Sequence, residues 1–263
     1  MRREVLIIAH RGASARAPEN TLAAVRAAAV TGARMVEVDV QMTHDERLVI
    51  FHDDRLERTT NGSGRLARQR YAALARLDAG RWRHPRFMGE RIPLLSQLLR
   101  YSPRRLAINL ELKRTPRRAA LLRRLTHGLR RVADRQRLLL SSFDPALLRP
   151  LRASALARAL IADRDPEASL GRAIRLGCVA WHPHYSLLSR RRVARAHAAG
   201  LRVHAWTVDR ADQARRLLRL GVDGLFTNDP AALCRALRLS TAPRRRVTPG
   251  IWQCAPASGD RRR

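Results

Sequence analysis

Short apolar runs alternate with segments rich in alanine and leucine along most of the chain, and this alternation constrains the fold more than any other feature. Segments of helical length separate most of the runs, which is the pattern of a parallel β-sheet with helical crossovers. The runs that we interpret as strands are residues 5–9, 35–40, 48–51, 106–110, 137–141, 157–161, 178–181, 202–206 and 222–226.

One connection between these runs is too short for a parallel crossover. It is the connection at residues 43–47, between the second run and the third, so we expect residues 48–51 to return antiparallel, as a hairpin partner of the second strand. Setting that strand aside leaves eight strands, the number that closes a (β/α)8 barrel. The pattern therefore predicts an α/β fold, a distorted (β/α)8 TIM barrel.

Two segments fall outside this repeat. Residues 55–91 are rich in glycine and charge, and we interpret them as a small insertion near the barrel mouth, where loops carry substrate contacts. Residues 239–263 are basic and are predicted to form a disordered C-terminal tail. The chain has 263 residues and is 45% hydrophobic, which is enough for one large barrel core, so residues 1–238 are predicted to form a single domain.

The formal net charge of +31 would suit a polyanionic partner such as nucleic acid. Arginine, however, is spread over nearly every predicted helix, and Lys113 is the only lysine in the chain, which indicates a general preference for arginine rather than one basic patch. Aromatic residues make up only 4% of the chain, too few for the stacking surfaces of a single-strand binder. We therefore expect no dedicated nucleic-acid partner.

The cysteines and the N-terminal residues are those expected of a protein in a reducing compartment. Cys178, Cys234 and Cys254 have no paired spacing, which fits free thiols in a reducing environment and gives no zinc motif. The apolar run at residues 5–9 is too short for the core of a signal peptide, and no stretch has the length of a membrane span. We expect a cytoplasmic protein without a transmembrane segment, and the sequence does not determine its oligomeric state.

Side chains two residues apart in a strand point to the same face. Glu37 and Asp39 therefore project together, as do Asn109, Glu111 and Lys113. All fall at the C-terminal ends of their strands, where (β/α)8 enzymes build their active sites. Three converging carboxylates are oxygen ligands of the kind that Mg²⁺ or Ca²⁺ prefers, and they suit either ion.

Two histidines come at the ends of other strands. His10 and His52 suit proton transfer, because imidazole titrates near neutral pH and can act as base or as acid. Together with the carboxylates they form the set that hydrolysis of a phosphodiester at a hard metal ion requires. Arg11 and Lys113 are candidates to hold the non-bridging oxygens, and Asn20 either hydrogen-bonds a ligand or caps the helix that follows it.

The same residues have structural alternatives. The two histidines could be ordinary hydrogen-bonded side chains at strand ends, and the three carboxylates could form an internal ion-pair network with arginines. Acids that face a barrel interior are costly unless a cation joins them, which favours the metal ligands.

Four further residues have two interpretations each. His182 and His184 follow a predicted strand, and either face the substrate or pack within a loop. Trp206 is either a core plug or a wall of the pocket. Asp53 either orients a catalytic group or caps the following turn, and we favour the cap.

These residues belong to a series of motifs that occur in order from about residue 5 to residue 237. The series resembles the pattern of the glycerophosphodiester phosphodiesterases. The motifs are His10-Arg11-Gly12, Pro18-Glu19-Asn20-Thr21, Glu37-x-Asp39, His52-Asp53, Arg58-Thr59-Thr60-x-Gly62-x-Gly64, Leu77-Asp78-Ala79-Gly80-x-Trp82, Ile92-Pro93, Glu111-Leu112-Lys113, Ser142-Phe143-Asp144 and Trp206-Thr207-Val208.

The resemblance implies a metal-dependent enzyme that hydrolyses glycerophosphodiesters, such as glycerophosphocholine or glycerophosphoethanolamine, to sn-glycerol 3-phosphate and an alcohol. It implies that Glu37, Asp39 and Glu111 bind one divalent cation, Mg²⁺ or Ca²⁺. It also implies that His10 and His52 are the acid/base pair.

The resemblance also implies contacts with a small-molecule substrate. Arg11 and Lys113 match phosphate-contacting positions, and Trp206 matches an aromatic residue near the glycerol. Two routes stay open, in which either water attacks phosphorus directly or the neighbouring glycerol hydroxyl attacks first and gives a cyclic phosphate. The alternatives to this function are a lysophospholipase D-like phosphodiesterase on the same barrel and a non-catalytic basic protein that binds polyanions.

Overall fold

The computed structural model of the protein describes residues 5–130, 132 and 134–240, and within them nine strands form one sheet. The predicted basic tail lies, from residue 241 onward, outside the described residues. The strands are β1 (Leu6–Ala9), β2 (Met35–Met42), β3 (Leu48–Ile50), β4 (Ala107–Leu112), β5 (Leu138–Ser142), β6 (Ala157–Ala162), β7 (Ala180–Pro183), β8 (Arg202–Ala205) and β9 (Gly224–Thr227).

Eight of these strands close into a barrel. Their order is β1-β9-β8-β7-β6-β5-β4-β2, and a further pairing of β1 with β2 completes the ring. All of these pairs are parallel, whereas β3 pairs antiparallel with the end of β2, with Val40 opposite Ile50. The predicted distorted (β/α)8 barrel and its antiparallel hairpin strand are therefore confirmed.

Helices separate most of the parallel strands and pack on the outside of the barrel. Four of them begin with a side-chain cap, because Thr21, Asp144, Ser189 and Asp229 each accept a hydrogen bond from a backbone N–H of the first turn. The helices are α1 (Leu22–Ala28), α2 (Tyr71–Leu74), α3 (Leu95–Tyr101), α4 (Arg118–Arg130), α5 (Pro145–Leu148), α6 (Pro166–Arg175), α7 (Arg190–Ala198), α8 (Ala211–Leu220) and α9 (Pro230–Ala236).

The barrel interior contains a layer of apolar side chains, and the polar side chains of the site lie in the next layer along the strands. Because side chains alternate along a strand, the residue two positions after each member of this layer points into the same interior. His10 thus follows Ile8, Glu37 follows Met35, and Asn109 follows Ala107. The buried residues of the layer are Leu6, Ile8, Met35, Ala107, Leu139, Ala159, Ala180 and Phe226.

Residues 55–91 form the predicted insertion, which contains α2 and two short 3₁₀ turns. It packs a small apolar core of its own against Phe51, the residue that follows β3. Arg58 of the insertion donates a hydrogen bond of 2.7 Å to Glu19, which lies between β1 and α1, so the insertion sits at the barrel mouth. None of the helices in the described residues has the length and apolar character that crossing a bilayer requires.

Candidate active site

A cavity of about 250 Å³ opens at the C-terminal end of the barrel. Eight of the nine predicted site residues line it, and the ninth, Asp39, lies beside it, 3.4 Å from Lys113 and 3.5 Å from Arg11. The lining residues are His10, Arg11, Glu37, His52, Asn109, Glu111, Lys113, Phe143, Ile161, His182, Trp206 and Phe226.

Three carboxylates converge in this cavity because β2 and β4 are neighbours, with Asp39 opposite Glu111 in the register. Glu37, Asp39 and Glu111 each offer an oxygen atom, and these atoms all lie within 4.8 Å of one another. Asn20 makes two hydrogen bonds with Asp39. Its Nδ2 donates to Asp39 Oδ2 at 2.8 Å, and its Oδ1 accepts from the backbone N–H of Asp39 at 3.1 Å. Asn20 therefore does not cap α1, whose cap is Thr21.

The electrostatics of the cluster fit a cation. Burial, followed by the charges of Asp39 and Glu111, raises the pKa of Glu37 well above its usual value, and burial together with Asp39 raises the pKa of Glu111 to about 7. The pKa of Asp39 is lowered although burial opposes this, because Lys113, His52 and Arg11 stabilise its charge. Glu37 Oε1 is buried and has no hydrogen-bond partner within the described residues. The donor set therefore fits a hard divalent cation.

His10 follows β1 and points one ring nitrogen at the loop after β9. Its Nδ1 lies 2.9 Å from Asn228 Oδ1. Burial, and then the charge of Arg11, lowers the pKa of His10 to about 4, so the ring is neutral near pH 7. A neutral, buried imidazole is able to accept a proton.

His52 follows β3, and a different kind of partner holds it. Its Nδ1 lies 2.5 Å from Asp53 Oδ1, and Arg58 Nε lies 2.5 Å from the other oxygen of Asp53. Burial is opposed by Arg58 and His52, which lower the pKa of Asp53 to about 2. Our expectation that Asp53 caps the following turn is thus wrong, because its carboxylate orients His52.

Arg11 and Lys113 place two cations at the carboxylates. Arg11 has a left-handed φ of 56°, donates its backbone N–H to Glu37 Oε2 at 2.9 Å, and pairs its guanidinium with Glu19 at 2.9 Å. Lys113 Nζ lies 3.0 Å from Glu111 Oε1. The side chains of Arg11 and Lys113 are 20% and 21% exposed, so each can reach a bound anion from the cavity wall.

Trp206 and His182 form the opposite wall and the floor. Trp206 is part-exposed, donates from Nε1 to the carbonyl of His182 at 2.8 Å, and meets Phe143 edge-on, so it is a wall rather than a core plug. His182 is fully buried, with Nε2 3.0 Å from His204 Nδ1. His184 does not line the cavity.

The sequence placed Asn109 on the same strand face as Glu111 and Lys113, whereas it did not predict Asn228 and Asp209 at the site. Asn109 lines the cavity, and both polar atoms of its side chain are buried with no hydrogen-bond partner in the part of the chain that the structure describes. Asn228 and Asp209 lie behind His10. The available signal was that both are polar residues close after the last two predicted strands.

Comparisons with known proteins agree on one family. The model of the glycerophosphoryl diester phosphodiesterase family matches residues 10–232. The protein YhdW of Bacillus subtilis is 36% identical over 230 residues, which cover 85% of this chain and 94% of that protein. A glycerophosphodiester phosphodiesterase of Caldanaerobacter subterraneus is 33% identical over 239 residues, covering 89% and 98% of the two chains.

A solved structure with high similarity is that of an Oleispira antarctica phosphodiesterase in complex with the product sn-glycerol-3-phosphate. It superposes with a TM-score of 0.84 at 34% identity, covering 89% of this chain and 96% of that chain.

Proposed function

Since the chain belongs to the glycerophosphoryl diester phosphodiesterase family, we propose that it hydrolyses glycerophosphodiesters, such as glycerophosphocholine or glycerophosphoethanolamine, to sn-glycerol 3-phosphate and an alcohol. The observation that carries the proposal is one cavity lined by His10 and His52, by two carboxylates of the acidic cluster and by two cationic side chains. Hydrolysis of a phosphodiester needs groups that transfer protons, since the leaving oxygen must gain a proton while the attacking oxygen loses one. It also needs cationic side chains that bind the phosphate oxygens and carboxylates that can hold a metal ion.

The side chains divide the work by their chemistry. Arg11 and Lys113 bind the non-bridging phosphate oxygens and orient the diester. His10, neutral and buried, takes the proton of the attacking oxygen, and His52 gives a proton to the leaving oxygen. The bond from phosphorus to the alcohol breaks as the new phosphorus–oxygen bond forms, and one proton passes from the nucleophile to the alcohol overall.

Glu37, Asp39 and Glu111 are the residues that would hold a divalent cation, Mg²⁺ or Ca²⁺, which supplies charge neutralisation at the phosphate oxygens. Trp206 and His182 complete the substrate pocket at its wall and floor. Either water or the neighbouring glycerol hydroxyl can be the nucleophile with the same two histidines. A ³¹P NMR time course distinguishes the routes, because only the second accumulates a cyclic phosphate.

The proposal is tested by release of sn-glycerol 3-phosphate from glycerophosphocholine, with EDTA and with Mg²⁺ or Ca²⁺ restored. We expect turnover that EDTA abolishes, and loss of turnover in His10→Ala, His52→Ala and Glu37→Gln. His44→Ala is the matched control, since this exposed histidine lies outside the cavity and should keep wild-type activity. A folded, metal-loaded protein that releases no product from any glycerophosphodiester would contradict the proposal.

The same assay separates the alternatives. Faster turnover of a lysophospholipid than of glycerophosphocholine would assign the lysophospholipase D-like activity. Salt-dependent binding of nucleic acid without any turnover would assign the polyanion-binding protein. The cytoplasmic location predicted from the sequence stays a prediction, which cell fractionation would check.

A further inference from the structure

The side chain of Asn228 has a single amide orientation that satisfies its neighbours. Its Nδ2 lies 2.7 Å from Asp209 Oδ2, and its Oδ1 lies 2.9 Å from His10 Nδ1. A carboxylate accepts hydrogen bonds and does not donate them, so the amide nitrogen must face Asp209 and the amide oxygen must face His10.

Asp209 is itself held in place. Its other oxygen, Oδ1, accepts from the hydroxyl of Thr227 at 2.8 Å and from the backbone N–H of Asn228 at 2.8 Å. Together with the bond from Asn228 Nδ2, the carboxylate accepts three hydrogen bonds, which tie the loop after β8 to the loop after β9. Asp209 therefore has no freedom to turn away from the amide.

The orientation of Asn228 decides which nitrogen of His10 carries the proton. An amide oxygen only accepts, so His10 Nδ1 is the donor and Nε2 keeps its lone pair. The Ser14 hydroxyl also lies 3.0 Å from Asn228 Oδ1, but it has an alternative acceptor, the carbonyl of His10 at 2.9 Å. The Ser14 contact therefore does not change the assignment.

We propose that Asp209 and Asn228 are positioning residues that fix His10 as the Nδ1-protonated tautomer, so that its Nε2 is always ready to accept a proton. This inference rests on the proposed function. Neither residue lines the cavity, so each acts through His10. Without such a partner, the proton of a neutral imidazole is distributed over both nitrogens, and only the fraction with a free Nε2 can act as base.

The variant Asp209→Asn tests the proposal with a change of one atom. Its Oδ1 still accepts from Thr227 and from the backbone, which leaves an NH₂ group facing the NH₂ group of Asn228. The amide of Asn228 then turns over, offers its N–H to His10, and places the proton of His10 on Nε2. We expect kcat for glycerophosphocholine to fall about tenfold to hundredfold with little change in KM.

The double variant Asp209→Asn/Asn228→Asp exchanges the two groups and preserves the hydrogen bonds between the pair. Its carboxylate at position 228 accepts from His10 Nδ1 and also raises the pKa of the ring, so we expect the Nδ1-protonated neutral tautomer, and most of kcat with it, to return at pH values above that raised pKa. Ser14→Ala is the control, because it removes a contact to the same amide oxygen and leaves the bond to His10. It should retain the kcat of the wild type.

The tautomer is read directly from the ¹⁵N chemical shifts of the two His10 ring nitrogens, assigned with a His10→Gln variant. An Nε2-protonated His10 in the wild type would overturn the inference, whatever the activity. An unchanged kcat in Asp209→Asn, or a folded double variant whose His10 is not Nδ1-protonated in its neutral form, would overturn it as well. The proposed function fails separately, through absence of product from a wild type whose His10 shows the expected pattern.

Discussion

At the residue scale, the two histidines differ in the group that faces their inner nitrogen. Asn228 presents an amide oxygen to His10, whereas Asp53 presents a carboxylate to His52. A carboxylate stabilises the imidazolium form, and a neutral amide does so much less. Burial lowers the pKa of both rings, but only His52 has a carboxylate at its inner nitrogen that opposes this shift, which suits His10 to accept a proton and His52 to donate one in the proposed function.

We expect Asp53→Asn to lower the pKa of His52, because the variant loses the negative charge that favours the imidazolium. An acid works only while it is protonated, so the alkaline limb of the kcat–pH profile should move to lower pH, and kcat above neutral pH should fall about tenfold to hundredfold. Steady-state kinetics across pH would measure both effects. The adjacent exposed carboxyl supplies the control, Asp54→Asn, which should leave the profile unchanged. An unshifted alkaline limb in Asp53→Asn would contradict the assignment.

The sequence predicted which residues enter the site and not what holds them. His10, Glu37 and Glu111 follow from strand alternation, since each lies at a fixed offset from a buried strand residue. Asn228 is 218 residues away from His10, and only closure of the barrel brings the two together. The contact between Asp53 and His52 was missed for a related reason. The geometry of the turn after β3 decides whether the Asp53 carboxylate caps that turn or orients His52.

At the scale of the elements, β2 and β4 determine the acidic cluster. Their register puts Asp39 beside Glu111 and Glu37 beside Asn109, so two rows of polar side chains face the interior at successive levels. Such a cluster opposes folding when no cation neutralises it, because buried like charges repel and lose their hydration. Binding of a cation and stability of the barrel should therefore be linked.

We expect Mg²⁺ or Ca²⁺ to raise the Tm of EDTA-treated protein more at about pH 8 than at about pH 5. In the metal-free protein the pKa of Glu111 is raised to about 7 and that of Glu37 is raised well above its usual value, so both carry protons at the lower pH. A cation must displace those protons there, whereas Glu111 is already ionised at the higher pH. Calorimetry at both pH values would measure the gain in Tm on adding the cation. The variant Glu37→Gln, which lacks one of the three carboxylates, should not show this gain. An equal gain in Tm at both pH values would disprove the linkage.

Asn109 of β4 is a buried amide that has no hydrogen-bond partner among the described residues, so its presence should cost stability. We expect Asn109→Leu to increase the free energy of unfolding by about 1 kcal/mol and to lower turnover, measured by urea unfolding and by the diesterase assay. Gln41→Leu is the matched control on β2, because that buried amide lies within 3.0 Å of the carbonyls of Phe51 and His52. The control should lose about 1–3 kcal/mol. A destabilised Asn109→Leu would mean that the amide is satisfied in solution.

At the scale of the whole molecule, the sequence was most informative. The barrel, the antiparallel strand β3 and membership of the phosphodiesterase family are all confirmed. They were predictable because they depend on patterns repeated along the whole chain, such as strand spacing and the short connection at residues 43–47. The family match ends at residue 232, and the last packed residues described, Leu237 and Leu239, lie against the barrel core.

We expect removal of residues 241–263 to leave both the fold and the activity intact. The removed segment contributes six arginines and one aspartate, so the variant loses five units of positive charge (6 − 1 = 5) and should bind polyanions more weakly. Circular dichroism, the diesterase assay and a salt titration of nucleic-acid binding would measure the three properties. A fall in kcat would show that the tail reaches the catalytic cavity.

Lys113 is the only lysine of the chain, and its Nζ lies among the carboxylates of the cavity. Reductive methylation with ¹³C-formaldehyde would therefore label one side-chain amine, plus the amino terminus, and produce a single lysine resonance. Asp39 and Glu111 raise the pKa of this amine although burial opposes it, so its resonance should respond to any ion or phosphate that draws those carboxylates away. Because the chain has no other lysine, the methylated amine of Lys113 would report spectroscopically on whether the cavity is occupied.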